Sequence, residues 1–166
     1  MTPFNIHGTT VAFTDAAGGR HGVLIRGRPG SGKSELALRL IDAEGFGAGD
    51  RPLRAQLVSD DQTLLVRGGA VLIASPPAAL AGLIELRGQG ILHIPHLPSV
   101  ELRLVVDLRE AHEIERLPEQ RLLTTEIAGL SLPRIVLDQA QPVGPAIIRT
   151  ILTARLWALP DGGHSA

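Results

Sequence analysis

Gly27, Arg28, Pro29, Gly30, Ser31, Gly32, Lys33 and Ser34 fit every position of the pattern G-x-x-x-x-G-K-[ST]. Glycines at this spacing let successive backbone N–H groups turn into one concavity, and a helix that follows adds the positive end of its dipole. Phosphate suits that concavity. Lys33 supplies a compact positive charge for β and γ phosphates, while the Ser34 hydroxyl suits a magnesium ion that bridges them. A glycine-rich turn that merely caps a helix would need neither the preceding apolar strand nor the Lys-Ser pair, so the segment reads as a P-loop for Mg-ATP.

A P-loop alone leaves open whether the γ-phosphate passes to water, a small molecule or a protein. Asp60-Asp61 follows an apolar run. There one carboxylate could bind magnesium through water while its neighbour, facing the other way, accepts a proton from an incoming hydroxyl. Two solvated turn residues ahead of a hairpin would have the same spacing. Glu85 and Arg87 lie on one side of a strand, ahead of Gly88 and Gly90, and suit a metal ligand beside a phosphate clamp. A cross-strand ion pair with a glycine-rich turn fits them as well. His93 and His96 could offer two imidazoles to zinc, but flanking prolines argue against a helical pair and no Cys or carboxylate completes the set.

The elements that must hold these groups are short. Asn5 to His7, Thr9 to Phe13 and His21 to Arg26 read as strands, the last two forming a hairpin that feeds the P-loop. Leu36, Ala37, Leu40 and Ile41 recur at helical spacing, so a helix runs from Ser34 to about Ala43, ahead of a surface loop to Arg54. Further strands are expected at Gln56 to Ser59, Gln62 to Arg67 and Ala70 to Ala74, the last two around a Gly68-Gly69 turn. More follow at Leu83 to Arg87, Ile91 to Ile94, Glu101 to Leu108 and Ser131 to Leu137, with Ile127 also extended. Pro76-Pro77 opens a short helix, and a second long helix spans Pro145 to Leu159, with Ile147, Ile148, Ile151, Leu152 and Leu156 on its core face. Strands outnumber helices and several are joined by hairpins. The expected fold is therefore an α/β P-loop domain with a mixed, hairpin-rich sheet and flanking helices, one domain over 1–159 with a frayed tail at 160–166.

A formal net charge of -1 gives no electrostatic footprint for nucleic acid, and 3 Phe, 1 Trp and no Tyr leave little to stack on bases. The absence of cysteine removes disulfides and thiolate metal sites. No run approaches membrane-spanning length and no basic segment precedes an apolar one at the start, so a soluble cytoplasmic protein without nucleic-acid or membrane partners is expected.

Taken together the residues resemble the bacterial HPr kinase/phosphorylase family, in a short form without the N-terminal domain. The likeness takes in His7-Gly8, Gly30 to Glu35, Leu57-Val58-Ser59-Asp60-Asp61, Ile84-Glu85-Leu86-Arg87-Gly88-Gln89-Gly90-Ile91 and Arg116-Leu117, in family order. Ile-Glu-Leu-Arg-Gly-x-Gly-Ile is the most specific of these. The resemblance implies a fold like that of phosphoenolpyruvate carboxykinase, and a protein-serine kinase that uses Mg-ATP on the phosphocarrier HPr of the phosphotransferase system. It also implies phosphorolysis of phosphoserine and assembly into a hexamer. By resemblance Lys33 and Ser34 meet phosphate and magnesium, Glu85 is a second magnesium ligand, Asp61 accepts the serine proton, and His7 and Arg116 belong to the active site. Arg87 lies in the signature tied to both directions. Residues 137–144 depart from the family's Pro- and Arg-containing stretch there, which bears on the reverse reaction. A nucleotide-dependent regulatory module with slow ATPase activity is the other reading, though it has no need of Asp61 and Glu85 at the γ-phosphate.

Overall fold

Thr9–Thr14 and Arg20–Arg26 carry apolar residues on both faces, the pattern of strands covered on both sides. The computed structural model describes residues 3–154. In chain order it contains β1 (Phe4–His7), β2 (Thr9–Thr14), β3 (Arg20–Arg26), α1 (Lys33–Asp42), β4 (Arg54–Ser59), β5 (Gln62–Gly68) and β6 (Val71–Ser75). Then come β7 (Leu83–Leu86), β8 (Gly90–His93), β9 (Val100–Arg109), β10 (Thr124–Ile127), β11 (Leu130–Asp138) and α2 (Gly144–Thr153). Short 3-10 turns lie at Ala78–Leu80, as the paired prolines suggest, and at Ala111–Glu113 and Gln120–Leu123.

The main sheet runs β1-β5-β6-β9-β3-β2-β4, and it forks at β9. The start of that strand, Val100 and Glu101, pairs antiparallel with β6. Its end, Val105 to Arg109, pairs parallel with β11, while β3 lies parallel along its other edge. The sheet is mixed, as the hairpins require. Period-two alternation then assigns the layers. Val11, Phe13, Val23, Ile25, Leu104 and Val106 face α1 and α2, where Leu36, Leu40 and Ile148 meet them. Ala12, Leu24 and Val105 face the other way, onto Leu65, Leu72 and Ala74 of the β5–β6 hairpin, which curls over that side. Phe13 is fully buried, a burial worth about 1.5–3 kcal/mol.

Two details differ from the pattern-based expectation. Gly68 pairs with Val71, so the β5–β6 turn is Gly69-Ala70 instead of Gly68-Gly69. Gly69 takes φ 66°, and only this turn position needs a residue free of a Cβ. The second helix is described from Gly144 to Thr153, while Leu156 and the proposed tail lie outside the described residues. Its buried members are Gly144, Ile148 and Arg149. The Arg149 guanidinium lies over the Phe13 ring at 5.7 Å and donates to the carbonyls of Leu40 and Ala43 at the end of α1. Burial pushes its pKa down, yet the two carbonyls and the ring give the cation a setting.

Candidate active site

The phosphate loop leaves β3 at Arg26 and enters α1 at Lys33. Gly32 caps that helix at φ 86°, a left-handed backbone that a side chain would strain, and no side chain caps the first turn. The opening N–H groups of α1 thus remain available to an anion. The Lys33 ammonium donates to the carbonyls of Gly27 and Arg28, both at 3.1 Å. Burial lowers its pKa, against the charges of Asp61, Asp60 and Glu35, which favour the protonated form.

Asp60 and Asp61 occupy opposite environments. Asp60 is only 4% exposed. Its carboxylate accepts from the Thr9 hydroxyl at 2.7 Å and the Glu85 backbone N–H at 3.0 Å, and the Ser34 hydroxyl lies 2.8 and 3.0 Å from its two oxygens. Asp61 takes φ 62°, a conformation seldom adopted by a residue with a Cβ, which turns its side chain away from that of its neighbour. Its carboxylate stands 3.2 Å from Nδ1 of His7, both side chains about half exposed, and its carbonyl accepts from the Gly8 N–H. Asp60 is therefore no solvated turn residue, and of the pair only Asp61 keeps the exposure that a turn ahead of a hairpin would give.

His7, Lys33, Ser34, Asp60, Asp61, Glu85 and Arg87 line one cleft of about 410 Å³, with Pro29, Gly30 and Gly32. The Arg87 guanidinium crosses the loop, its Nη2 3.2 Å from where a Cβ on Gly30 would stand. Glu85 and Arg87 make no ion pair with each other among the described residues. Arg28 turns outward to Glu113 at 3.2 Å, and with Gly27 it lines a neighbouring pocket instead. Ser31 is buried, its hydroxyl without a hydrogen-bond partner. Arg116 is not brought to the cleft. It borders a larger one, about 560 Å³, together with Arg109 and Arg134.

The oxygen donors Ser34, Asp60 and Glu85 fit a hard cation that keeps water and phosphate in most of its coordination positions. Among the described residues no cluster of three or more His, Cys, Asp or Glu is placed to hold a metal ion. Two contributors escaped sequence reasoning. Thr9 has only the signal of a polar pair, Thr9-Thr10, opening an apolar strand. Asp107 has no local signal: it lies on β9 between Arg26 at 2.7 Å and Arg134 at 2.6 Å, fixing the three parallel strands beside the loop. Burial would raise the Asp107 pKa, but the hydrogen bonds and charges of Arg26 and Arg134 together outweigh it and hold the carboxyl below its ordinary value.

Comparison with known proteins adds an independent line. The family described as HPr Serine kinase C-terminal domain matches residues 3–151. The HPr kinase/phosphorylase of Bordetella pertussis is 35% identical over 167 residues, which covers 90% of this chain and 49% of the relative. That of Burkholderia cenocepacia is 33% identical over 166 residues, covering 90% and 47%. The chain thus spans about half the length of the curated relatives it matches. Among solved structures, that of the HPr(Ser) kinase/phosphatase from Coxiella burnetii superposes with a TM-score of 0.67 at 27% identity, covering 90% of this chain and 88% of the other.

Proposed function

The chain belongs to the HPr serine kinase C-terminal domain family, and on that premise we propose that it is an ATP- and Mg-dependent protein-serine kinase whose acceptor is an HPr-type phosphocarrier. The observation that carries the reading is the position of Asp61: half exposed, beside His7, in the same cleft as Lys33 and Ser34. A module that only binds nucleotide has no use for a solvent-facing carboxylate there.

In the forward reaction the serine hydroxyl loses its proton to Asp61 as its oxygen bonds to the γ-phosphorus, and the bond from that phosphorus to the β-γ bridging oxygen breaks to release ADP. His7 steadies the carboxylate and faces the acceptor side. Lys33 and the first N–H groups of α1 hold the phosphate chain, and Arg87 meets charge that spreads onto the transferring group. Ser34, Asp60 and Glu85 would hold magnesium, which neutralises phosphate charge when bound. Phosphorolysis, if the altered stretch at 137–144 permits it, would use the same groups in reverse, inorganic phosphate attacking phosphoserine to give pyrophosphate while Asp61 returns the proton. The reading carries with it a cytoplasmic homo-oligomer, a hexamer by resemblance, and assigns Arg116 to the site by resemblance alone. Among the described residues no helix is long and apolar enough to cross a membrane.

Labelled ATP incubated with purified HPr tests the reading. Label on a serine of HPr is the expected result. Slow phosphate release with no labelled HPr would favour the regulatory module instead.

A further inference from the structure

The prolines beside His93 and His96 rule out a helical pair, yet the fold brings the two rings together by another route. They lie where the β7–β8 hairpin returns to the main sheet. His93 ends β8 opposite Leu83, and His96 forms a parallel bridge to Leu57 of β4. The chain is pinned at both residues that follow them. Ile94 N–H donates to the Gly82 carbonyl and Leu97 N–H to that of Leu57, each at 2.8 Å. The imidazoles then stand across from each other, ring centroids 6.2 Å apart and planes at 87°.

Both rings aim a nitrogen at the same spot. A Cβ on Gly82 would stand 2.7 Å from Nδ1 of His96 and 2.8 Å from Nε2 of His93, with the Ile94 carbonyl oxygen at 3.1 Å. Gly82 takes φ 76°, a backbone that disfavours a side chain, so the space is left to the two nitrogens. Neither ring is drawn into an ion pair among the described residues. His93 is exposed and His96 half-buried, which leaves the spot within reach of solvent.

We propose that His93 and His96 together bind a divalent transition-metal ion of the zinc, nickel or copper kind beside Gly82. Neutral imidazole suits these ions, whereas magnesium demands oxygen donors, so the site is distinct in its chemistry from that of Ser34, Asp60 and Glu85. At a bond length of about 2.1 Å the ion draws the two nitrogens closer together, which the exposed His93 ring accommodates by turning. Water completes the coordination. The ion ties the base of the hairpin that carries Glu85 and Arg87 to β4, the strand that leads to Asp60.

Calorimetric titration of the purified chain with zinc chloride, magnesium being in excess to fill the oxygen-donor site, tests the proposal. The parent is expected to bind one zinc ion here, and His93→Gln and His96→Gln should each weaken it about tenfold or more, because two linked ligands act as a chelate and neither suffices alone. Zinc should raise the parent's urea midpoint and leave that of His93→Gln unmoved. Without zinc, His93→Gln should unfold with the parent, since its position is exposed, and this separates a lost ligand from a lost fold. In the copper-loaded parent, electron paramagnetic resonance should show two imidazole nitrogens on one ion, and a single one in either variant. Zinc held by other histidines would survive both substitutions. No zinc binding by the parent, an affinity unchanged in either variant, or a copper spectrum with one nitrogen in the parent overturns the site.

Discussion

Two buried carboxylates beside the phosphate loop are satisfied in opposite ways. Asp107, on β9, is flanked by the guanidinium groups of Arg26 and Arg134. Asp60, after β4, receives two hydroxyls and a backbone N–H, with no arginine against it among the described residues. An ion pair on both sides consumes the charge, leaving a clamp that fixes β3, β9 and β11 against one another. Neutral donors orient the other carboxylate while its charge stays available to the cleft, and to the cation proposed there. Burial alone therefore does not separate a working carboxylate from a structural one. The charge of its partners does.

The comparison can be sharpened first at the residue next to Asp60. Asp61→Asn keeps size and turn but cannot exchange a proton, so phosphorylation of HPr should fall about 10²–10⁴-fold with ATP still bound, as measured by phosphoserine formation and titration. Retention of near-parental rates would shift the proton role away from Asp61. Asp107→Asn should instead act on folding, costing about 3 kcal/mol at neutral pH because two guanidinium groups lose their shared anion. Its folded-state pKa lies below the ordinary 3.8, so the stabilisation is complete above that value and lost as pH falls through the lower one. Urea unfolding curves of parent and variant should accordingly converge as the solution is acidified below about pH 4; a gap that stays constant there would show that Asp107 stabilises by packing. Asp60→Asn should reverse that profile, with activity down about 10–100-fold and a much smaller change in unfolding midpoint. A large loss of stability would erase the contrast drawn above. The smallest effect is expected for Glu85→Gln, which removes one anionic oxygen and should raise the magnesium needed for half-maximal activity several-fold. Coincident magnesium titrations would make Glu85 a structural residue.

What the sequence made legible was local. The phosphate loop, the first helix and the hairpins are written in residues a few positions apart, and these elements stand within a residue or two of expectation, whereas the second helix, expected to Leu159, is described only to Thr153 with an extended cap at Ala154. The Gly-Gly turn shifted by one because strand pairing extends to Gly68, leaving Gly69 to supply the left-handed backbone. The division of labour between Asp60 and Asp61 was open because spacing cannot reveal φ 62° at the second residue. Nonlocal groups left no trace. Arg26 and Asp107 are 81 residues apart, and Arg149 reaches the carbonyl of Leu40 across 109 residues, in a helix whose face reads as wholly apolar. Arg116 shows the converse: a motif match placed it with the others, but the fold sets it in a different cleft.

The position of β3 has a bearing on how the molecule is made. The strand that launches the phosphate loop ends at Arg26, yet the parallel neighbour it leans on begins at Val100. During synthesis the loop leaves the ribosome long before that neighbour exists, and until then β3 has only the β2 hairpin partner beside it. Closing such a separation is entropically slow, and parallel pairing cannot be seeded by a turn. Nascent chains halted short of β9 should therefore carry the complete glycine-rich motif without the rigid phosphate cradle. On the kinase reading, the ability to hold a nucleotide would arrive late in translation, with the arrival of β9.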